Sequence, residues 1–404
     1  MTYKERTLKD VILETSKNFK IILLTGMRQV GKTTFLKNLD NKERKYVTLD
    51  NPNDLFLAKN EAKFFLDTYS PPVLFDEIQY VPESFPYIKM ISDNSDKKGI
   101  IWMTGSQQFH LMKNITESLA GRVAIIDILG FSIYERFNKA NLQIPFLPKL
   151  RPNSILEKKS LSETYEIIWQ GSFPEVIDKN DTQWEIFYNS YMRTYLERDV
   201  RQLIKLADEM NFIKFLRVIA SRTGQELNLT DIAKDTEISV TTAKSWISIL
   251  ETSGIIYLLK PFSKNIGKRF VKKPKLYFLD TGLCCYLSQW NNPKSLETGA
   301  MSGAIFETFV ITEIIKSYYH NGKHPLFYYY RDSNGVEIDL LIEENNKLYP
   351  IEIKKTSNPK KEDVKNFALV EKKLNNIEYG SLICLTDVIM PLTEKANAIS
   401  IWDI

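Results

Sequence analysis

The sequence predicts an α/β protein: a parallel sheet with helices on both faces, then a helical region containing a helix-turn-helix, then a second α/β unit. Three observations carry this. The apolar run Ile21–Thr25 is followed by the glycine loop Gly26–Thr34 and an amphipathic stretch, which is the order strand, loop, helix. Further apolar runs alternate with helical segments through the first third of the chain, the pattern of a parallel sheet. Near the end, two alternating runs flank Asn345-Asn346, a pair suited to a two-residue hairpin turn because both positions need positive φ.

The loop Gly26-Met27-Arg28-Gln29-Val30-Gly31-Lys32-Thr33-Thr34 has the form G-x-x-x-x-G-K-T. Its glycines let backbone N–H groups, from Gly26 and from Arg28, Gln29, Val30 and Gly31 through Thr34, face phosphate oxygens. Lys32 reaches the β and γ phosphates, and Thr33 holds Mg²⁺. A nucleoside triphosphatase is expected. Next, Pro72-Val73-Leu74-Phe75 is an apolar strand that ends in Asp76 and Glu77. Asp76 suits a water-mediated Mg²⁺ contact, and Glu77 suits polarisation of the attacking water. Asp50, after Tyr46–Leu49, is another strand-end acid, although it equally suits a cap on the Asn51-Pro52 turn. A third apolar run ends at Thr104, followed by Ser106 and Gln107, polar groups able to sense the γ-phosphate beyond the strand ends. Val123–Ile128 is the last short strand of the sheet.

Gly26–Thr34, Phe75-Asp76-Glu77-Ile78-Gln79, Thr104-Gly105-Ser106 and Leu119-Ala120-Gly121-Arg122 together resemble the prokaryotic AAA-type ATPases that carry a C-terminal domain of unknown function, DUF4143. The resemblance continues through Gly171-Ser172-Phe173-Pro174, Tyr195-Leu196-Glu197-Arg198-Asp199 and Asp280-Thr281-Gly282-Leu283, so it spans nearly the whole chain. It implies ATP binding, hydrolysis with Mg²⁺ and a C-terminal half of nuclease-like fold. It also places Arg122 near the nucleotide. There a guanidinium neutralises transition-state charge within one subunit or across an interface, the alternative being a structural ion pair.

Composition narrows the classes. A chain of 404 residues accommodates two or three domains, and a formal charge of +4 excludes a polycation. Three cysteines, Cys284, Cys285 and Cys384, have no metal-ligand spacing and suit a reducing cytoplasm. No stretch approaches the roughly 20 apolar residues of a membrane span, so no membrane association is expected.

The expected organisation is an ATPase domain over 1–137, a linker and helical region over 138–225, a winged-helix-like region over 226–290 and a nuclease-like domain over 291–404. Pro145, Pro148 and Pro152 mark the linker. Thr230 and Ser239 are the expected caps of helices Asp231–Thr236 and Val240–Thr252, with Gly254 ending the second and Ile255–Leu259 starting a strand. Lys244, Ser245 and Trp246 then fall on or beside the recognition helix. Lys260, Lys264, Lys268, Arg269, Lys272, Lys273 and Lys275 follow, interrupted by Phe262 and Phe270, so segment 260–275 is a local footprint for DNA phosphate. Winged helices also contact proteins, so a protein partner is the alternative.

In the C-terminal hairpin, Asp339 lies six residues before Asn345 and Glu352 six after Asn346, which sets them opposite each other on one face. Alternation adds Glu337 and Lys354 to that face and puts Ile338, Leu340, Ile351 and Ile353 on the other. Asp339 with Glu352-x-Lys354 resembles the D…E-x-K signature of restriction-endonuclease-like nucleases. That resemblance implies a divalent metal on Asp339 and Glu352, joined by Glu307 from the preceding helix, with Lys354 supporting attack on a phosphodiester. The expected function is an ATP-driven protein whose C-terminal half binds DNA, with two outcomes open at the nuclease-like site: metal-dependent cleavage, or a fold that has lost catalysis and kept DNA binding. The alternative is a nucleotide-gated protein-interaction switch with a silent nuclease-like site, and an arginine acting in trans would require a homo-oligomer.

Overall fold

The computed structural model describes residues 3–40, 43–106, 118–150, 152, 154–177, 181–195, 209–265, 267, 269 and 272–404. Gln107, the segment 196–199, Lys268 and Phe270 lie outside the described residues.

Strands β1 (Ile21–Thr25), β2 (Lys45–Thr48), β3 (Val73–Asp76), β4 (Ile101–Gly105) and β5 (Val123–Asp127) form a wholly parallel sheet in the order β2-β3-β4-β1-β5. Every residue of β1, β3 and β4 is buried, which explains their unbroken apolar runs: strands covered on both faces do not alternate. Ile21, Leu23, Phe75 and Met103 pack in one layer with Phe65, Phe85 and Ile88. Ile22, Leu24, Leu74 and Trp102 pack in the other with Ile12 and Phe35. This order brings the carboxyl ends of β3, β4 and β1 side by side, and the glycine loop leaves β1 there.

The proline-rich stretch after 137 is not a free tether. Phe146 and Leu156 are buried, the Phe146 N–H donates to Ser317 Oγ (3.0 Å), and the Tyr318 hydroxyl donates to the Phe146 carbonyl (3.0 Å). Helices Leu161–Gln170 and Asp181–Tyr195 follow, tied by the stacked rings of Trp169 and Trp184, 4.1 Å apart.

Helices Leu229–Thr236 and Val240–Thr252 form the helix-turn-helix. The second has the expected cap, Ser239, whose hydroxyl accepts the Thr242 N–H (3.0 Å). The first is capped by Asn228, two residues ahead of Thr230, because the Asn228 side chain accepts the Asp231 N–H. Trp246 is 3% exposed and packs edge-on against Phe212 and Phe215, so it belongs to the core of this unit and not to its surface.

Strand β6 (Ile256–Pro261) pairs antiparallel with β7 (Lys275–Phe278) and parallel with β8 (Leu326–Arg331). With β9 (Glu337–Glu344), β10 (Lys347–Ile353), β11 (Gly380–Cys384), β12 (Met390–Thr393) and β13 (Ala396–Ser400), they form a mixed eight-stranded sheet in the order β12-β13-β11-β10-β9-β8-β6-β7. One sheet therefore runs from the helix-turn-helix unit into the C-terminal unit. The long helix Ser302–Tyr319, buried over most of its length, packs with Leu340, Ile342 and Ile351 on one face.

The hairpin turn is the expected one, with Asn345 at φ 52° and Asn346 at φ 61°. The register runs from Lys347 opposite Glu344 to Ile351 opposite Leu340, so the next step sets Glu352 opposite Asp339. One expectation fails. Between Tyr328 and Tyr330 the β8–β9 register shifts, so Asp339 and Leu340 together face Tyr329. Such a bulge resets the alternation. Ile338 consequently packs with Leu341 and Leu348, while Leu340 and Ile351 lie in the opposite layer.

Candidate functional site

Gly26 and Gly31 set the loop. A Cβ on Gly26 would meet the Ile128 carbonyl oxygen at 2.2 Å, and Gly31, at φ 90°, caps helix Lys32–Leu39. Lys32 is 5% exposed, and its Nζ donates to the carbonyls of Gly26 (2.9 Å) and Met27 (2.7 Å), which holds the ammonium inside the loop's curve. Arg28 Nη2 lies 3.5 Å from the Tyr80 hydroxyl, Gln29 is exposed at φ 61°, Val30 is buried, and Thr34 is exposed.

Asp76 is the centre of the site. Its Oδ1 accepts from Thr33 Oγ1 (2.6 Å) on the loop's helix and from Thr104 Oγ1 (2.5 Å) at the end of β4; its Oδ2 accepts from the Tyr46 hydroxyl (3.0 Å) on β2. Burial and the Asp76 carboxylate push the Tyr46 hydroxyl up to about 12. Glu77 leaves β3 in the left-handed region at φ 61° and gives its N–H to Thr104 Oγ1 (3.1 Å). Its Oε2 accepts from Ser106 Oγ (2.9 Å) and from Gln79 Nε2. The hydroxyl of Thr33 and the carboxylate of Asp76 are oxygen donors of the kind Mg²⁺ takes, and they meet beside the loop's helix N-terminus, so these residues fit a Mg–nucleotide. Tyr46 was missed in the sequence because nothing local marks it; its role comes from β2 lying beside β3.

Arg122 is elsewhere. It precedes β5, whose Val123 pairs with Ile21, so it sits at the amino ends of the strands while the glycine loop leaves the carboxyl ends. Five residues at roughly 3.3 Å each separate the two ends by about 16 Å. There Arg122 makes a two-pronged pair with Asp93 (2.6 and 3.1 Å). Within one subunit it is a structural ion pair. Asp50 is exposed at the end of β2, with its N–H on Thr48 Oγ1 (3.3 Å).

The C-terminal acids do assemble, but around a lysine. Lys275 Nζ, on a side chain 7% exposed, lies 2.7 Å from Glu337 Oε1, 3.6 Å from Asp339 Oδ1 and 3.7 Å from Glu307 Oε1. The Tyr277 hydroxyl donates to Glu307 Oε1 (2.6 Å), and the Ile353 N–H donates to Asp339 Oδ2 (2.9 Å). Burial and the Asp339 charge push Glu307 up to about 7 and Glu352 up to about 10; burial works against the Lys275 ammonium, but Glu307, Asp339 and Glu337 outweigh it and raise Lys275. Lys354, expected in this cluster, pairs with Asp363 instead. Among the described residues no three His, Cys, Asp or Glu side chains are placed to hold a metal. A divalent metal on Glu307, Asp339 and Glu352 does not fit this arrangement, because the Lys275 ammonium stands among the acids.

The basic segment is also smaller than its sequence. Lys275 is internal, and Arg269 is enclosed by Phe262 and Tyr328 with its guanidinium on Glu343 (3.1 Å). Lys264 is exposed and donates to the Lys373 carbonyl (2.8 Å). Lys260, Lys272 and Lys273 are exposed, as are Lys244 and Ser245 on the second helix of the helix-turn-helix. Among the described residues, no helix is long and apolar enough to cross a membrane.

Comparison with known proteins matches residues 18–137 to an AAA domain, residues 161–294 to a domain of unknown function, DUF8612, and residues 302–404 to another, DUF4143. The chain is similar to an uncharacterized protein of Mycobacterium tuberculosis, 28% identical over 355 residues that cover 88% of this chain and 74% of the relative. It is similar to one of Methanocaldococcus jannaschii at 27% identity over 391 residues, covering 91% and 83%. Among solved structures it is similar to the Thermotoga maritima RuvB Holliday junction branch migration motor, at 12% identity and a TM-score of 0.32, over 66% of this chain and 94% of that one.

Proposed function

We propose that this chain, an AAA-type P-loop ATPase with a C-terminal DUF4143 domain, hydrolyses ATP and uses the cycle to control how its C-terminal half holds duplex DNA. The observation that carries the ATPase reading is Asp76, whose one carboxylate joins the loop threonine, Thr33, to the sensor position, Thr104. With nucleotide bound, Lys32 would exchange its carbonyl partners for β and γ phosphate oxygens, and Thr33 and Asp76 would hold Mg²⁺. Bound Mg²⁺ supplies charge neutralisation on the phosphates. Glu77, fixed by Ser106 and Gln79 at the mouth of β3 and β4, orients the attacking water and draws off its proton.

DNA contact falls to Lys244 and Ser245 on the second helix and to the exposed Lys260, Lys272 and Lys273 of the basic segment. We infer holding of DNA and not cutting, because the Lys275 ammonium stands beside Asp339 and Glu307, two of the acids that a nuclease metal would need. The withdrawal of Arg269 and Lys275 from the basic face favours a second reading, a nucleotide-gated switch that holds a protein partner.

Anisotropy of labelled duplex DNA, with ATP and the Glu77→Gln chain, separates the readings. DNA binding predicts ATP-dependent retention that weakens steeply between 50 and 200 mM salt as counterions are released. No retention at either salt favours the protein partner. DNA products lost in Asp339→Ala would overturn binding without cutting.

A further inference from the structure

Arg6 belongs to no motif, yet its side chain is 3% exposed and reaches the glycine loop. Its Nη1 donates to the carbonyl of Val30 (3.3 Å), one residue ahead of Gly31, and its Nη2 to the carbonyl of Leu129 (2.5 Å), just beyond β5. Its Nε lies 3.1 Å from Glu135 Oε1, and the guanidinium covers the Phe131 ring at 4.6 Å. A guanidinium presents its donors in a rigid planar fork, so displacing one acceptor disturbs its hold on the others.

Glu135 is wholly buried and accepts the N–H groups of Thr7 (2.9 Å) and Ser132 (3.0 Å). Its Oε2 lies 3.3 Å from Nδ1 of His320, the residue that closes helix Ser302–Tyr319. Burial pushes the Glu135 carboxyl up, but Arg6 and His320 outweigh it and hold it at about 2, while burial keeps His320 below its ordinary value. Further up the same helix, Glu313 Oε2 accepts the Ile133 N–H (2.9 Å), and Lys316 Nζ donates to the Phe131 carbonyl (3.0 Å). The stretch from Leu129 to Arg136 is thus held by Arg6 on the side of the nucleotide loop and by the end of the C-terminal helix on the other.

We infer that Arg6 is a positioning residue for the phosphate-binding loop, and that Glu135 ties its setting to the C-terminal helix. Nucleotide on the loop and the arrangement of the C-terminal sheet then bias each other, because coupling between two sites is reciprocal. The inference rests on the reading of the loop as an ATP site.

Hydrogen exchange on the intact wild-type chain, with and without ATP and Mg²⁺, tests it without a variant. ATP is expected to slow exchange at Gly26–Thr33 and also at Leu129–Arg136 and Glu313–His320. Slowing confined to Gly26–Thr33 overturns the inference and leaves the ATP site standing; no slowing at Gly26–Thr33 removes the ATP site itself. Steady-state kinetics add a readout that packing alone would not move. Arg6→Met is expected to raise the KM for ATP about tenfold, an ordinary size for inter-site coupling, with kcat changed much less, and Arg6→Lys to fall between it and wild type. An unchanged KM in folded Arg6→Met overturns the positioning role. Should that chain fail to fold, Glu313→Met decides: it removes the acceptor of the Ile133 N–H and touches neither the loop nor Arg6, so a raised KM supports the coupling and an unchanged one refutes it.

Discussion

Replacing Lys275 by methionine keeps most of the side-chain volume and deletes the charge at the centre of the acid cluster. Three carboxylates, from Glu337, Asp339 and Glu307, lie within 3.7 Å of its Nζ, and their side chains are 34%, 17% and 20% exposed. Breaking a buried ion pair by removing one partner costs roughly 3–5 kcal/mol, and the partial exposure of these acids puts the expected loss at the lower end, about 3 kcal/mol at pH 8. The pH dependence follows from the shifts. Lys275 is raised above 10.5, so its contribution is complete throughout the neutral range and is lost only as pH rises through its elevated value. Glu307, at about 7, takes up its proton on acidification and then needs the ammonium less. The gap between wild type and variant should therefore narrow as pH falls from 8 to 4.5, by the share of the attraction that Glu307 carries. Urea unfolding followed by circular dichroism at pH 8 and pH 4.5 measures it. A gap under about 0.5 kcal/mol at pH 8, or one that widens on acidification, would refute a lysine-centred cluster.

Three further outcomes are expected. Glu307→Gln keeps the Tyr277 contact and removes a carboxyl that binds its proton more tightly folded than unfolded; wild type loses stability between pH 4.5 and about 7, so the variant should gain on it as pH rises through that window, in unfolding curves taken at several pH values. Trp246→Ala should cost about 3–5 kcal/mol by opening the contact with Phe212 and Phe215, whereas Lys244→Ala should leave stability unchanged and lower the salt slope of duplex binding by about one. Arg122→Ala should leave ATP hydrolysis unchanged in dilute protein, because its guanidinium sits at the far end of the sheet on Asp93; a loss that grows with protein concentration would show the arginine reaching into a neighbouring copy.

Local chemistry was legible in the sequence, and cross-chain geometry was not. The glycine loop, the strand ending in Asp76 and the Asn345-Asn346 turn each depend on a few consecutive residues, and each appears where the sequence predicts it. The position of Arg122 is legible too, since a residue just before a parallel strand lies at its amino end. Lys275 is different: it looks like one member of a basic run, and only the pairing of β7 with β6, followed by β8, carries it inward to Asp339. The bulge opposite Tyr329 is equally silent, because no glycine or proline marks it in β9. Arg6, Glu135 and His320 meet across more than 300 residues, a contact that only the folded chain makes.

The most direct test of the ATPase reading is steady-state ATP hydrolysis in Mg²⁺ by wild type, Lys32→Ala and Glu77→Gln, with nucleotide binding measured on the same samples. Lys32→Ala should lose binding and turnover together. Glu77→Gln should keep binding and lose turnover by a factor on the order of 10²–10⁴, the range for a positioned acid or base. Turnover that survives Lys32→Ala, or wild-type chain that binds no ATP, would contradict the account.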